Sequence, residues 1–330
     1  MKIYFFIINP AAGNGKALKK WNKVKVELQQ KNVRFRSFFT ERPGHAEQIA
    51  RQIAEIHADH LEAIVAVGGD GTIHEIMNGL TFHEHIKIGY IPAGSGNDFA
   101  RGFSIPSAPL DALNTIIGRG GKTGQYDVGG VLFSTGKGRH KRFVNSVGAG
   151  FDAEVSKTAD EAAYKPFLNK LGLGRFAYMI ALLKTMAAYK PADVTVTIDG
   201  KTAMFEKVWF ITISNSPFYG GGMKISPAAD PADGILDVCV VYNLPAWKLL
   251  LLFGSVFFGW HKHLKEVELF TGRNISVTSE SPFPVHTDGE QAGMTPIQVS
   301  VQPSRRSIYS KKRTKSGRSI EAAARGGKNG

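Results

Sequence analysis

The chain has 330 residues, enough for two domains with cores of their own, and its apolar fraction of 43% is that of a globular protein, not a disordered one. A formal charge of +13 at pH 7 points to anionic partners. One cysteine, Cys239, excludes an internal disulfide, fits a reducing compartment and lies in the strand-like run 235–242, where it reads as core filler.

Residues 2–8 predict a first strand. Its apolar run is too short for a signal peptide and passes into Asn9-Pro10-Ala11-Ala12-Gly13, so the expected location is the cytoplasm. A helix pattern follows over 16–31, a strand over 33–39 ending at Thr40, a helix over 44–57, strands over 62–67 and 86–91, and a short helix over 110–117. Strands alternating with helices imply a parallel, Rossmann-like α/β sheet with covered faces, whose ligand site lies beyond the carboxyl ends of the strands. The glycine-bearing loops at 9–15, 68–72 and 92–98 all fall at that edge.

The most informative of these loops is Gly68-Gly69-Asp70-Gly71-Thr72, which an apolar run, Ala63 to Val67, feeds directly and a helix leaves. Three glycines let backbone N–H groups approach an anion, the helix N-terminus adds positive potential, and Asp70 offers a carboxylate where a divalent metal bridges phosphates. The pattern predicts a nucleotide phosphate site. A tight βα turn is the plain alternative, and it leaves the acid between glycines unexplained.

From about Asp127 the rhythm changes to short strand-like segments, at 142–147, 193–198, 207–214, 235–241, 266–270, 274–278 and 297–301. Their spacing suggests an antiparallel sandwich or barrel. Helical inserts are expected over 164–188 and 245–260. The expected organisation is an α/β nucleotide-binding domain at 1–132, a β-sandwich-like domain at 133–303, and a basic tail at 304–330, with the chain after about 303 free to return to the first domain. That tail carries nine Lys and Arg against one acid, so it holds +8 of the +13. It reads as disordered and able to lie on a polyanion, with plain solubilisation as the alternative.

Several motifs are ambiguous alone. Gly148-Ala149-Gly150-Phe151-Asp152-Ala153 matches a dinucleotide fingerprint but lies in the strand-rich half. His261 and His263 read as solvated or capping residues, and Lys16 after Gly13-Asn14-Gly15 imitates a P-loop without its spacing. Asp98 reads either as a helix cap or as a residue near phosphates. Asp230 to Ile235 looks like an ordinary turn, and Asp288-Gly289-Glu290 like an acidic hairpin turn.

Taken together and in order, the motifs Asn9-Pro10 with Gly13, Thr40 with Gly44-His45-Ala46, Gly68 to Thr72, Pro92 to Arg101, Asn145 to Asp152, Tyr219 to Pro227, Asp233-Gly234 and Asp288-Gly289-Glu290 resemble the bacterial diacylglycerol kinase-like lipid kinases. These share a catalytic domain with sphingosine kinases. One departure is Ser95, where the family usually has Thr; a hydroxyl is kept. The resemblance implies an ATP- and Mg²⁺-dependent kinase in which ATP lies across the carboxyl edge, contacted by Asn9, Thr40, Gly68, Gly69, Asp70, Gly71, Thr72, Ser95 and Asp98. It makes Glu290 the base that accepts the proton of a lipid hydroxyl, with Asp70 the second catalytic acid. It also implies a structural Mg²⁺ held by the Asp233 side chain and the carbonyls of Asp230 and Ile235. Phosphoryl transfer needs positioning and charge neutralisation more than covalent chemistry, which suits these parts.

The implied partners are a lipid substrate and an anionic membrane surface, met by the tail and by segment 245–265; no specific nucleic acid is expected, and a homodimer stays open. Residues 249–260 are twelve without a charge, bracketed by Trp247 and Trp260 and followed by His261, Lys262, His263 and Lys265. They are too few to span a bilayer and read as either a buried or an interfacial helix. The expected association is peripheral. An NAD kinase, which shares a similar glycine loop, and a catalytically silent lipid- or nucleotide-binding regulator are the alternatives; intact Asp70 and Glu290 argue against the second.

Overall fold

The computed structural model describes residues 2–118, 122–134, 140–161 and 174–311. Its first third builds four parallel strands, β1 (Ile3–Ile8), β2 (Phe35–Phe39), β3 (Leu61–Gly68) and β4 (Lys87–Pro92), lying side by side as β2-β1-β3-β4. Residues 5–8 and 63–68 are buried without interruption, as apolar strands covered on both faces must be. Helix α1 (Lys16–Gln30) buries Ala17, Trp21, Val24 and Leu28, one face at helical spacing, and seats the Trp21 ring 5.1 Å from Phe6. Helices α2 (His45–His57), α3 (Asp70–Gly79), the short α4 (Asp98–Gly102) and α5 (Pro109–Ile117) complete this unit. Strand order reverses between β1 and β3, so the crevice for a ligand opens beyond their carboxyl ends.

The second unit is antiparallel: β5 (Thr123–Phe133), β6 (His140–Phe143), β7 (Ser146–Gly150), β8 (Ala192–Ile198), β9 (Lys201–Ser214), β10 (Leu236–Tyr242), β11 (Val267–Gly272), β12 (Asn274–Ser279), β13 (Pro284–Thr287), β14 (Glu290–Met294) and β15 (Ile297–Tyr309). Strand β9 changes partners along its length, pairing with β8 in its first half and lying between β7 and β10 in its second. The sheet thereby folds over a core that includes Val147, Val196, Ile211, Val238, Val277 and Val299. Alternate residues of β10 serve different cores. Val238 and Val240 face that one, while Cys239 and Val241 pack under helices α6 (Phe151–Glu161), α7 (Gly174–Ala188) and α8 (Ala246–Val256). Burial pushes the Cys239 thiol up to about 12, consistent with core filler.

Two expectations change. The strand expected at 142–147 is broken into β6 and β7, because the backbone N–H groups of Val144, Asn145 and Ser146 turn to the Asp288 carboxylate. The first residues of the segment expected as a tail from 304 are strand instead, and they make the return to the first unit that the sequence left open: β15 runs on to Tyr309, antiparallel to β5 and finally parallel to β4, with Ile308 opposite Ile88. Basic side chains there have partners in the first unit. Arg306 is fully buried and donates to the carbonyls of His83 and Leu80, and Arg305 reaches Glu84 at 2.9 Å. Residues 312–330 lie outside the described residues, as do 164–173 of the first helical insert.

Candidate active site

The three glycine loops meet because three side chains are missing. A Cβ on Gly13 would fall 2.3 Å from the Ala93 carbonyl oxygen, and one on Gly94 would fall 2.4 Å from the Gly69 Cα. Loop 9–15, loop 68–72 and loop 92–98 therefore touch at the carboxyl edge. Asn9, at the end of β1, spans the crevice: its Nδ2 donates to Thr72 Oγ1 at 3.3 Å and its Oδ1 accepts the Ala11 N–H. Thr40 is nearly buried at the end of β2, where its N–H bonds the Ile8 carbonyl. Gly68 closes β3, Gly69 precedes α3, and Asp70, Gly71 and Thr72 form its first turn, where the Thr72 N–H bonds the Gly69 carbonyl at 3.1 Å and those of Asp70 and Gly71 come too early for an intrahelical acceptor. Ser95 is exposed on the third loop, which Asn97 closes by bonds to both the N–H and the carbonyl of Gly94.

The acids converge from both units. Asp70 Oδ1 accepts the Phe99 N–H at 3.0 Å, so Asp70, not Asp98, caps α4. Asp98 is buried and ties the loops to the second unit: one oxygen meets Arg101 at 2.7 Å, the other accepts the Gly221 N–H at 2.6 Å. A side chain begun on Gly96 would lie 3.0 Å from Asp70 Oδ2 and 3.7 Å from Asp98 Oδ2, which places the two carboxylates side by side. Burial, then the charges of Asp98 and Asp288, pushes the Asp70 carboxyl up to about 6. Burial also raises Asp98, against its bonds to Gly221 and Arg101. Two buried oxygen donors that repel each other suit a hard cation such as Mg²⁺, which would relieve the repulsion.

The Asp288-Gly289-Glu290 turn arrives between β13 and β14. Its first acid is a clamp. The Asp288 side chain is wholly buried, accepts three backbone N–H bonds at 2.8 to 3.0 Å and meets His74 Nδ1 at 2.8 Å. Burial alone would lower the pKa of His74, but its bond to Asp288, that charge and the charge of Glu290 raise it. The turn is thus pinned to α3 one helical turn beyond Asp70, and Glu290 stands exposed with Oε1 3.3 Å from where a side chain on Gly71 would begin.

A second pair supports the turn from below. His286 accepts the Gly289 N–H on Nδ1 at 3.2 Å and donates from Nε2 to Asp152 at 3.2 Å, both side chains buried. Gly148 is small for this reason: a Cβ would sit 2.1 Å from the Asp152 carboxylate and 2.3 Å from His286. The fingerprint-like stretch at 148–153 is the seat of this pair. Of these supporting residues, the sequence reading missed His74, which its i, i+4 spacing to Asp70 on a helix could have found; the partnership of Asp152 with His286, 134 residues apart, carries no local signal. His261, expected to be solvated or capping, is buried with Nε2 on the Ile225 carbonyl at 2.9 Å.

Segment 230–235 lies beside β5, where the Asp127 N–H bonds the Pro231 carbonyl at 2.7 Å. Asp233 Oδ1 accepts the Ile235 N–H at 3.0 Å, Asp230 Oδ1 accepts the Ala232 N–H at 3.1 Å, and Asp127 holds the Gly234 N–H at 2.7 Å. Among the described residues no group of three or more His, Cys, Asp or Glu side chains is placed to hold a metal. Backbone carbonyls would have to supply most ligands.

The fold and this edge define a class. Residues 3–131 match the diacylglycerol kinase catalytic domain, and residues 145–309 match the YegS C-terminal NAD kinase beta sandwich-like domain. The chain belongs to the diacylglycerol kinase-like lipid kinase family. It is 39% identical over 304 residues to the "Putative lipid kinase YtlR" of Bacillus subtilis strain 168, covering 92% of this chain and 98% of that one. It is 29% identical over 299 residues to the diacylglycerol kinase of Mycobacterium tuberculosis H37Rv, covering 90% of this chain and 91% of that one. A crystal structure of a "putative diacylglycerol kinase" from Bacillus anthracis Sterne superposes with a TM-score of 0.74 at 24% identity, covering 94% of this chain and 95% of that one, a likeness of fold.

Proposed function

We propose that the protein transfers the γ-phosphoryl group of ATP to a lipid hydroxyl, with diacylglycerol as the default acceptor, from the cytoplasm at a membrane surface. The observation that carries this reading is the approach of Glu290 to Gly71, which puts an exposed carboxylate from one unit against the first turn of α3 in the other. In this reading the N–H groups of Asp70 and Gly71 and the Thr72 hydroxyl hold the transferring phosphates. Glu290 takes the proton of the acceptor hydroxyl as its oxygen bonds to phosphorus, and ADP leaves. Asp70 and Asp98 would hold Mg²⁺, which would supply positive charge to offset that of the phosphates. The names of the relatives support the lipid acceptor. The test is ATP turnover against a panel of diacylglycerol, sphingoid base and other glycerolipids in mixed micelles, with NAD as a water-soluble acceptor. Phosphorylation of a lipid and none of NAD is the expected result; the reverse assigns the chain NAD kinase chemistry.

A second Mg²⁺ at Asp233, with the carbonyls of Asp230 and Ile235, is proposed as structural. Asp233→Ala is then expected to abolish the rise in melting temperature that millimolar Mg²⁺ produces in the wild type while leaving nucleotide affinity unchanged. A wild-type melting temperature indifferent to Mg²⁺ would sink this assignment.

A further inference from the structure

Helix α8 is apolar on two faces, and among the described residues one of them is left open. Leu249, Leu252 and Val256 are buried against the second unit, whereas Trp247 and Leu251, on the outward side, are 62% and 67% exposed. The chain leaving the helix continues that outer surface: Phe258 and Trp260 are 66% and 65% exposed and stack on each other with ring centroids 5.0 Å apart. A surface helix normally turns polar residues outward, so a contiguous patch of this kind marks an interaction site. Beside it opens a pocket of about 480 Å³, lined by Phe218, Phe258 and Trp260 together with Lys224, Lys262 and His263. The nearby Lys248 is held by Glu266 at 2.9 Å, but Lys224, Lys262, His263 and Lys265 are exposed.

We infer that this face docks on an anionic lipid bilayer, with the aromatic side chains in the interfacial layer and the cationic pocket receiving a lipid phosphate. The inference rests on the lipid-kinase reading for its purpose, though its evidence is separate. Charge complementarity selects the partner: apolar bulk rimmed by cations matches acyl chains below anionic headgroups, and residues 312–330 add six Lys and Arg against one acid. Position agrees. Phe218 lines the pocket, the next residue, Tyr219, stacks on His286, and Gly221 bonds Asp98, so only two residues separate the docking face from the residue that contacts the acid cluster. Docking there brings the bilayer to the acceptor side of the crevice. Helix α8, with 11 residues, is far too short to cross the roughly 30 Å hydrocarbon core, and no helix among the described residues is long and apolar enough to do so.

The test uses the full chain without nucleotide, sedimented with phosphatidylcholine vesicles with or without phosphatidylglycerol. Wild type is expected to bind the phosphatidylglycerol vesicles and to come off as salt rises. Phe258→Ser with Trp260→Ser should weaken binding at low salt by about tenfold or more, with an unchanged melting temperature because both rings are exposed. Lys224→Glu with Lys262→Glu should weaken it and flatten its salt dependence. Equal vesicle binding by wild type and both double variants overturns the inference. A wild-type dimer that the aromatic double variant converts to monomer, with vesicle binding unaltered, also overturns it and assigns the face to a second copy of the chain. No readout involves phosphoryl transfer, so a failed acceptor panel and a failed docking test are distinguishable.

Discussion

Asp70→Asn is expected to abolish turnover and, at neutral pH, to make the protein more stable. The loss follows from position: Asp70 is the acid at the crevice floor beside Asp98, and removing a preorganised charge from such a site costs on the order of 10³-fold in rate. The gain follows from linkage. The Asp70 carboxyl has a pKa of about 6 in the fold against 3.8 in an unfolded chain, so the native state binds the proton more tightly between those values. Stability therefore falls as pH rises from about 4 to about 6, and above that the folded protein carries the full cost of an ionised, buried acid next to Asp98. That cost is about 2 to 3 kcal/mol at pH 8 and none below pH 4. The amide keeps an oxygen for the Phe99 N–H and removes the charge. Melting curves in EDTA without nucleotide should show the Asp70→Asn variant a few degrees above wild type at pH 8 and level with it at pH 3.5. Equal melting temperatures at pH 8 would mean that the Asp70–Asp98 repulsion is relieved within the fold itself.

Glu290→Gln is expected to lower turnover by about 10²- to 10⁴-fold, the range for loss of a general base, with no change in melting temperature or ATP affinity. Glu290 is exposed at the start of β14, and the turn that carries it is held by Asp288 and His286 rather than by its own side chain. The glutamine amide keeps the shape and cannot accept the proton. Steady-state rates with saturating lipid decide it: near wild-type turnover in this variant removes Glu290 from the chemistry and leaves the hydroxyl proton to another group.

The two substitutions differ in their stability readout because the two acids differ in burial, which the sequence does not show. Asp70 and Glu290 stand out as motif acids in the same way, each beside a glycine. Only the structure separates a buried, strained carboxylate from a solvated one. Asp98 makes the same point. Its place after Asn97, just before an apolar turn, is equally consistent with a cap, and the question turns on Asp70, 28 residues earlier, reaching the Phe99 N–H first.

The α/β rhythm of the first third, the carboxyl-edge loops and the strand-rich second half were legible because hydrophobic periodicity and glycine placement are local properties. Uninterrupted apolar runs such as 63–67 can be satisfied only in a covered strand, and glycines such as Gly13 and Gly94 mark close backbone approach. What only the tertiary structure decided depends on distant partners. The breaking of the strand at Val144 to Ser146 needs the Asp288 carboxylate, more than 140 residues away. The ordering of Ser304 to Tyr309 as strand needs β4 and β5 and the carbonyls that accept Arg306, so within a basic segment that composition assigns to solvent Arg306 is buried. The pairing of Asp152 with His286 and the exposure of the outer face of α8 are likewise invisible along the chain, since an apolar helix has the same sequence whether its second face meets a core or is left open.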